Sequence, residues 1–339
     1  MALHHTAPRG VARGPQSPAT ESAPIGAPSN RYREAVDVIG WLLQGDPAIR
    51  RQVMRDLTDG PAAAVVATRS EVATVGWEAR LLALQEEDGQ WGGGFYSPKW
   101  ISTTYTLLQL RHFGLDPAGE AAHVARDRLI GGGVTWRDDS GFFEYLGETC
   151  VTAMNLAIAC YFEATSLKTT RVVEWLLDQQ LEDGGWNCET DRGSVRSSFH
   201  TTISVLEGLL ESERSGHAPE LTVASADARL RAHEYLLERQ MFRSLSSGEI
   251  VNQSWTRFSF PPRWWYDVLR GLDYFQDAAA PWDDRLEEAL GLLEKKRTGD
   301  GRWNLQNHHS GREHFQMEQP GKPSRWNTLR ALRVLRWAG

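Results

Sequence analysis

Three side chains of this sequence have the chemistry of zinc ligands. Glu148 and Cys150 stand two positions apart, and His200 follows in a later segment of the chain. Carboxylate, thiolate and imidazole groups all bind zinc, and three protein ligands with an open fourth position are the arrangement of catalytic zinc sites. We therefore predict that Glu148, Cys150 and His200 bind zinc and carry the chemistry, provided that the fold brings them together.

A sequence repeat supplies the elements that would position these residues. Residues 84–91, 180–186 and 296–303 read alike, and each ends in Asp-Gly-x-Trp. Each closes an amphipathic helical pattern, and the Asp-Gly pair is a turn signal. A loop and a second helix follow, and the second-helix segments 102–108 and 200–206 align without gaps. We expect each turn tryptophan to pack between neighbouring helix pairs.

Two weaker copies and an N-terminal pair complete the pattern. The helical segment at 121–129 leads through Trp136 to Cys150. The helical segment at 226–237 leads to Trp264. Residues 32–43 form one helical pattern. Asp46 and Pro47 read as an N-cap followed by proline at the first helical position, which opens a second helix to about Leu57.

Six helix pairs result, and a single pair cannot bury both of its faces. The sequence therefore predicts an all-α fold, an α/α toroid of six antiparallel helix pairs closed into a barrel, as one domain over residues 32–339. Residues 1–31 are rich in Ala, Pro, Ser, Gly and Arg and are predicted to form a disordered tail.

Aligning the inner helices places Ser102, Cys150 and His200 at equivalent starts in three consecutive repeats. These starts would ring one mouth of a central cavity, where a binding site is expected. Aromatic walls suit an isoprenoid or a cationic group, and they suit plain packing as well. The predicted cavity residues are Ser102, Tyr105, Arg196, Arg263, Trp264, Trp265, Tyr266 and Trp326.

From about residue 32 to the C-terminus the chain resembles the α/α toroids of terpenoid cyclases and protein prenyltransferases, above all the prenyltransferase β subunits. That resemblance implies zinc held by an Asp-x-Cys sequence at one inner helix and by the His of Tyr-His-Thr at the next. The matching segments here are 148–150 (Glu-Thr-Cys) and 199–201 (Phe-His-Thr). It also implies a substrate thiol activated as a zinc thiolate for alkyl or prenyl transfer, and a partner subunit that a single chain does not reveal.

The chain departs from the sequence patterns of these two enzyme families in two ways. A terpene cyclase of the squalene type would carry Asp-x-Asp-Asp where this chain has Glu-Thr-Cys-Val at 148–151, and a thiol with a pKa near 8.5 cannot be the initiating acid. The other Asp pairs, at 138–139 and 283–284, read as turn or capping residues. The basic residues that would bind a diphosphate before Glu148 are missing, although Lys99, Arg196, Arg263 and Arg325 near other inner-helix starts could bind an anion.

Composition excludes several classes of protein. Lys and Arg total 37 against 44 Asp and Glu, a net charge of −7, so a nucleic-acid partner is not expected. No apolar run is long enough for a transmembrane helix, and no secretory signal is recognised, so we expect a cytoplasmic protein. Its cysteines, Cys150, Cys160 and Cys188, are expected to be reduced, with Cys160 in the core and Cys188 structural. The histidine-bearing loop 307–314 reads as surface.

The sequence thus favours a zinc-dependent transferase of the prenyltransferase type, acting in an aromatic-lined cavity on a hydrophobic or isoprenoid-like molecule. Three alternatives stay open: a zinc-water hydrolase, a terpene cyclase-like enzyme that lacks the Asp-x-Asp-Asp acid, and a non-catalytic lipid-binding toroid.

Overall fold

The computed structural model describes residues 30–131, 140–164 and 167–339. Trp136, the Asp pair at 138–139 and the predicted tail up to residue 29 lie outside these ranges. The described chain is predominantly helical, and its two strands, β1 (Trp303–Asn304) and β2 (Pro323–Ser324), are two residues long and pair antiparallel. The all-α part of the fold prediction is confirmed.

Thirteen α-helices lie within the described ranges. They are α1 (Asn30–Leu43), α2 (Pro47–Asp56), α3 (Ala62–Val72), α4 (Trp77–Leu82), α5 (Thr103–Phe113), α6 (Glu120–Gly131), α7 (Thr149–Tyr161), α8 (Leu167–Asp178), α9 (Phe199–Ser215), α10 (Thr222–Glu238), α11 (Val268–Asp277), α12 (Glu287–Lys295) and α13 (Arg325–Ala338).

Helix starts follow the signals read from the sequence. The Asp46 side chain accepts a hydrogen bond from the Ala48 backbone N–H at 3.0 Å, and Pro47 is the first residue of α2. The N-cap oxygen thereby satisfies one of the free N–H groups of the first turn. The predicted helices at 32–43, 121–129 and 226–237 are confirmed as α1, α6 and α10.

The three turn tryptophans make the same contacts in each repeat. Trp91, Trp186 and Trp303 are fully buried. Their indole N–H groups donate to the carbonyl ten residues earlier, that of Leu81, Leu176 or Leu293, at 2.7–2.8 Å. Their backbone N–H groups donate to a threonine hydroxyl of the next inner helix, that of Thr103, Thr202 or Thr328, at 3.0–3.1 Å. Each tryptophan therefore joins the helix before its turn to the helix after it.

The glycine of each Asp-Gly pair makes the turn possible. Gly89, Gly184 and Gly301 have φ angles of 85°, 89° and 79°, a region that L side chains rarely adopt. A Cβ at Gly184 would also meet the Arg231 carbonyl oxygen at 2.6 Å. Glycine is therefore required on both conformational and steric grounds.

The helices α5, α7, α9, α11 and α13 contact one another in sequence order. α7 is buried along its length from Thr149 to Cys160 and packs between α5 and α9, while α11 packs against α9 and α13. The last helix, α13, packs against α2. In turn, Arg51 and Gln52 of α2 donate to backbone carbonyls at the end of α5, at 2.9–3.2 Å. The N-terminal ends of α5, α7 and α9 carry the predicted zinc ligands and Ser102.

Candidate functional site

At the start of α7, the predicted carboxylate ligand is exposed to solvent and the predicted thiol ligand is buried. Glu148 is the N-cap residue of α7 and is exposed, and its backbone carbonyl accepts from the Val151 and Thr152 N–H groups at 2.9 Å. Cys150, in the first turn, is only 6% exposed. The helix thus directs the thiol inward, while Glu148 remains in contact with solvent.

The partner of Cys150 is a second thiol, that of Cys188. Cys188 lies in the loop after Trp186 and is half-buried, and its sulfur interacts with the Cys150 thiol. Thr201 at the start of α9 also donates to the Cys188 sulfur, at 3.4 Å. The residues beside the two cysteines are joined as well, because the Thr149 hydroxyl donates to the Asn187 carbonyl at 3.5 Å.

The two thiols differ in acidity. The interaction with Cys150 lowers the pKa of Cys188, and the hydrogen bond from Thr201 adds to that effect. The same interaction between the thiols, together with burial, raises the pKa of Cys150 well above its usual range. The geometry therefore favours a thiolate at Cys188 and a protonated thiol at Cys150. Sequence reasoning assigned Cys188 a structural role, and only the path of the loop after Trp186 places it here.

His200 is oriented by the backbone of another element. Its Nδ1 accepts a hydrogen bond from the Tyr266 N–H at 2.7 Å. Burial lowers the pKa of His200 to about 4, with a smaller contribution from the charge of Arg270, so the ring is neutral near pH 7. A neutral ring whose Nδ1 accepts must carry its proton on Nε2, and no described residue bonds that Nε2–H. His200 is therefore a hydrogen-bond donor at this site.

The predicted zinc ligands do not fit a metal in this geometry. A neutral imidazole binds a metal through a nitrogen lone pair, and the one lone pair of His200 is engaged by the Tyr266 N–H. Among the residues that the structure describes, no three His, Cys, Asp or Glu side chains form a group that could hold a metal ion. Zinc bound by Glu148, Cys150 and His200 therefore stays a prediction from the sequence, and no step below depends on it.

Aromatic rings surround His200. The ring of Trp264 packs edge-on to His200 at 5.3 Å and stacks on Trp265 at 3.8 Å between centroids. Burial raises the pKa of the Tyr96 hydroxyl, and the charges of Glu148 and Cys188 act in the same direction, so Tyr96 lies within electrostatic range of these groups. We call the surface formed by Tyr96, Cys150, Cys188, His200 and Trp264 the mouth.

Lys99 supplies a positive charge at the mouth. Its ammonium nitrogen lies 4.8 Å from the ring centroid of Tyr96, 5.4 Å from that of Trp264 and 5.8 Å from that of Trp100. Lys99 forms no ion pair with a carboxylate in the described ranges. It is therefore a cation available to an anion bound at the mouth.

The two predicted cavity arginines have other surroundings. Arg263 is buried, forms an ion pair with Glu313 at 2.9 Å and donates to Gln109 at 3.2 Å. Arg196 is exposed in the loop before α9. Arg263 is thus bound to the segment that carries Glu313, and Arg196 is a cation at the surface.

The segment at residues 307–318, which includes the loop predicted to lie at the surface, covers one side of the mouth. The Trp100 N–H donates to the Arg312 carbonyl at 2.7 Å, and the Arg312 N–H donates to the Lys99 carbonyl at 2.9 Å. The His314 ring hydrogen-bonds the Thr106 hydroxyl at 3.0 Å, and His309 stacks on Trp265 at 5.5 Å. No recognised ligand spacing marks this segment in the sequence.

Several predicted cavity residues are packed in the core. Ser102 is fully buried at the N-cap of α5, and Tyr105 packs between Tyr96 and Trp100, with ring centroids at 5.3 and 4.7 Å. The Tyr266 hydroxyl donates to the Met241 carbonyl at 2.6 Å. These residues support the mouth from behind.

Trp326 lines a cavity of about 210 Å³ among α5, α9, α11 and α13. At its edge Trp326 stacks on Phe260 at 4.2 Å. Paired charges line it, with N···O distances of 2.5–2.9 Å, in the pairs Arg111–Glu211, Arg270–Glu207 and Arg330–Asp273. Tyr161, Phe260, Tyr274 and Trp326 line it as well, so its lining is both charged and aromatic.

Comparison with models of known families, with curated proteins and with solved structures found no match to this chain. Within the described ranges, no helix is long and apolar enough to cross a membrane. The site therefore has to be interpreted from its own chemistry.

Proposed function

We propose that the protein is an α/α toroid enzyme that transfers an alkyl or prenyl group to a thiol at the mouth. Two features support a closed ring of six helix pairs. The inner helices α2, α5, α7, α9, α11 and α13 contact one another in order, and the last of them contacts the first. The buried ion pairs of these helices also line one shared cavity.

The observation that carries the function is the Cys150–Cys188 pair beside the aromatic rings. A thiolate at Cys188, stabilised by Cys150 and by a hydrogen bond from Thr201, accepts the proton of a substrate thiol. The resulting substrate thiolate attacks the electrophilic carbon of the alkyl group. A carbon–sulfur bond forms, and the bond to the leaving group breaks, with its electron pair going to the leaving group.

Two groups are suited to the leaving anion. Lys99 provides a positive charge, and His200 provides its Nε2–H; both lie against the ring of Trp264. Donors of this kind stabilise charge that develops in the transition state. The indole N–H groups of Trp264 and Trp265 are buried without a described partner and are further donors beside them. With a single unpaired cation, this set favours a leaving group of lower charge than a diphosphate.

The test compares Cys188→Ser with Cys160→Ser, which alters a buried thiol farther along α7. Each protein is incubated with farnesyl or geranylgeranyl diphosphate, or with an alkyl halide, and a panel of small thiols, and thioether products are measured by mass spectrometry. We expect Cys188→Ser to lower kcat about 10²-fold or more, in the range of general-base catalysis, and Cys160→Ser to retain turnover.

Other results would contradict the proposal in distinct ways. Thiol-independent cyclised products would indicate a cyclase. Binding of the prenyl compound without turnover would indicate a non-catalytic lipid-binding toroid. Turnover that requires added zinc would restore the predicted metal site and show that His200 and the thiols rearrange around it.

A further inference from the structure

We infer that Cys150 and Cys188 form a reversible disulfide by exchange with a small-molecule disulfide. The inference concerns the protein's own sulfur atoms and does not require the transferase activity. It rests on the contact between the two segments that carry these thiols, one half-buried and one 6% exposed, and on the interaction between the two sulfurs.

The elements that carry the two cysteines already lie against each other. Thr149 and Asn187, their immediate neighbours in the chain, are hydrogen-bonded, and Thr201 holds the Cys188 sulfur from the start of α9. The start of α7 and the loop after Trp186 are therefore already in contact beside the two sulfurs. Because the two cysteines come from well-separated parts of the chain, the bond would tie the loop after Trp186 to the start of α7.

Cys160 cannot take part in this reaction. It lies in the same helix as Cys150, almost three turns farther along, and is 3% exposed. A rise of about 1.5 Å per residue separates the two Cα atoms by about 15 Å, far beyond the roughly 7 Å limit for a disulfide. The chain thus has one pair that can close and a third cysteine that is a control.

The reaction proceeds in two exchange steps. The Cys188 thiolate attacks one sulfur of the small disulfide, forming a mixed disulfide and releasing one small thiolate. Cys150 then loses its proton and attacks the Cys188 sulfur, which releases the second small thiol. The two protein sulfurs lose two electrons in total, and the small disulfide gains them as two thiols. Excess small thiol reverses both steps.

Closing this bond removes the Cys188 thiolate from the mouth. The oxidised protein would therefore lose any reaction that depends on that thiolate and regain it on reduction. This makes the pair a redox-sensitive element of the candidate site.

The experiment uses the full chain, treated first with a chelator and then with oxidised glutathione, followed by intact-mass and peptide mapping. We expect the protein to lose two hydrogen atoms and to yield a peptide pair linked through Cys150 and Cys188, with both changes reversed by dithiothreitol. Cys150→Ser should stop at the mixed disulfide on Cys188. Cys160→Ser should behave as the wild type, and circular dichroism verifies the fold of each variant.

Three results would overturn the inference. A wild-type protein that remains fully reduced would show that the sulfurs do not react. Accumulation of glutathione on Cys188 without an internal bond would show that Cys150 cannot reach it. A linkage that includes Cys160 would contradict the described positions. These mass measurements do not involve the transferase assay, so a failure of one proposal is separate from a failure of the other.

Discussion

The hydrogen bond from the Tyr266 backbone N–H determines which ring nitrogen of His200 carries the proton. By donating to Nδ1, it leaves the neutral ring with a proton on Nε2 and no free lone pair. The residue type is compatible with metal binding, general-base catalysis or hydrogen-bond donation, and one contact selects the last. Cys188 is affected in the same way, because Cys150 and the hydrogen bond from Thr201 lower the pKa of its thiol.

Glu78 is a carboxyl group without a hydrogen-bond partner in the described structure. It is fully buried in α4, both of its oxygens are unpartnered, and burial raises its pKa to about 9. The folded protein keeps its proton above pH 4.5, whereas the unfolded chain releases it. The contribution of Glu78 to the free energy of unfolding is therefore greatest below about pH 4.5. It falls as the pH rises toward 9, by at most about 1.4 kcal/mol per pH unit.

Replacing Glu78 by Gln removes this titration. We expect thermal melts of Glu78→Gln and wild type to diverge between pH 5 and pH 8, with the variant gaining several degrees relative to wild type at the higher pH. Glu87→Gln changes an exposed glutamate and is the control. Equal pH dependence in all three proteins would show that Glu78 is ionised in the fold.

The tryptophan turn is the element that builds the architecture. The last four carbonyls of a helix have no intrahelical partner, and the Trp186 indole N–H satisfies that of Leu176 near the end of α8. The same bond recurs at Trp91 and Trp303, so the turn sets the distance between an outer helix and the next inner one.

Trp186→Phe keeps a large ring but removes the donor. We expect it to lower the free energy of unfolding by about 2–4 kcal/mol, since it leaves a buried carbonyl unsatisfied and a small void. Trp282→Phe, at a tryptophan that is 37% exposed, should cost less than about 1 kcal/mol. Urea unfolding measures both values. Similar costs for the two variants would show that the indole hydrogen bond does not stabilise the repeat.

At the scale of the whole molecule, the first and last inner helices are joined by ion pairs. Arg333 of α13 lies 2.8 Å from Asp56 of α2, with side-chain exposures of 14% and 16%. Arg336, on the same helix, pairs with Asp59 at 2.8 Å, but these side chains are 47% and 76% exposed. The buried pair and the solvent-exposed pair span the same junction and make a matched comparison.

Arg333→Met should destabilise the protein by about 1–3 kcal/mol, because it leaves the largely buried carboxylate of Asp56 with less positive charge beside it. Arg336→Met should cost about 0–1 kcal/mol, as exposed pairs do. The measurement is urea unfolding at low and moderate salt. If Arg333→Met were as mild as Arg336→Met, the proposed closure between α13 and α2 would lose its main support.

The sequence by itself determined the helices and their order. Asp46 as a cap, the positive-φ glycine at 184 and the Trp186 turn act over about ten residues, so periodicity and turn chemistry identify them without knowledge of the rest of the chain. The alignment of repeats also brought Cys150 and His200 to the starts of neighbouring inner helices, α7 and α9.

Only the tertiary structure decided which groups meet at the mouth. Cys188 approaches Cys150 from a loop, Tyr266 orients His200 from before α11, and the segment at 307–318 reaches Lys99 from the far end of the chain. Loop paths and single hydrogen bonds between distant residues have no periodic signature, because they depend on contacts that exist only after the helices have packed. For that reason the helix starts beside the candidate site were predictable, whereas the contacts, proton positions and cover of the candidate site were not.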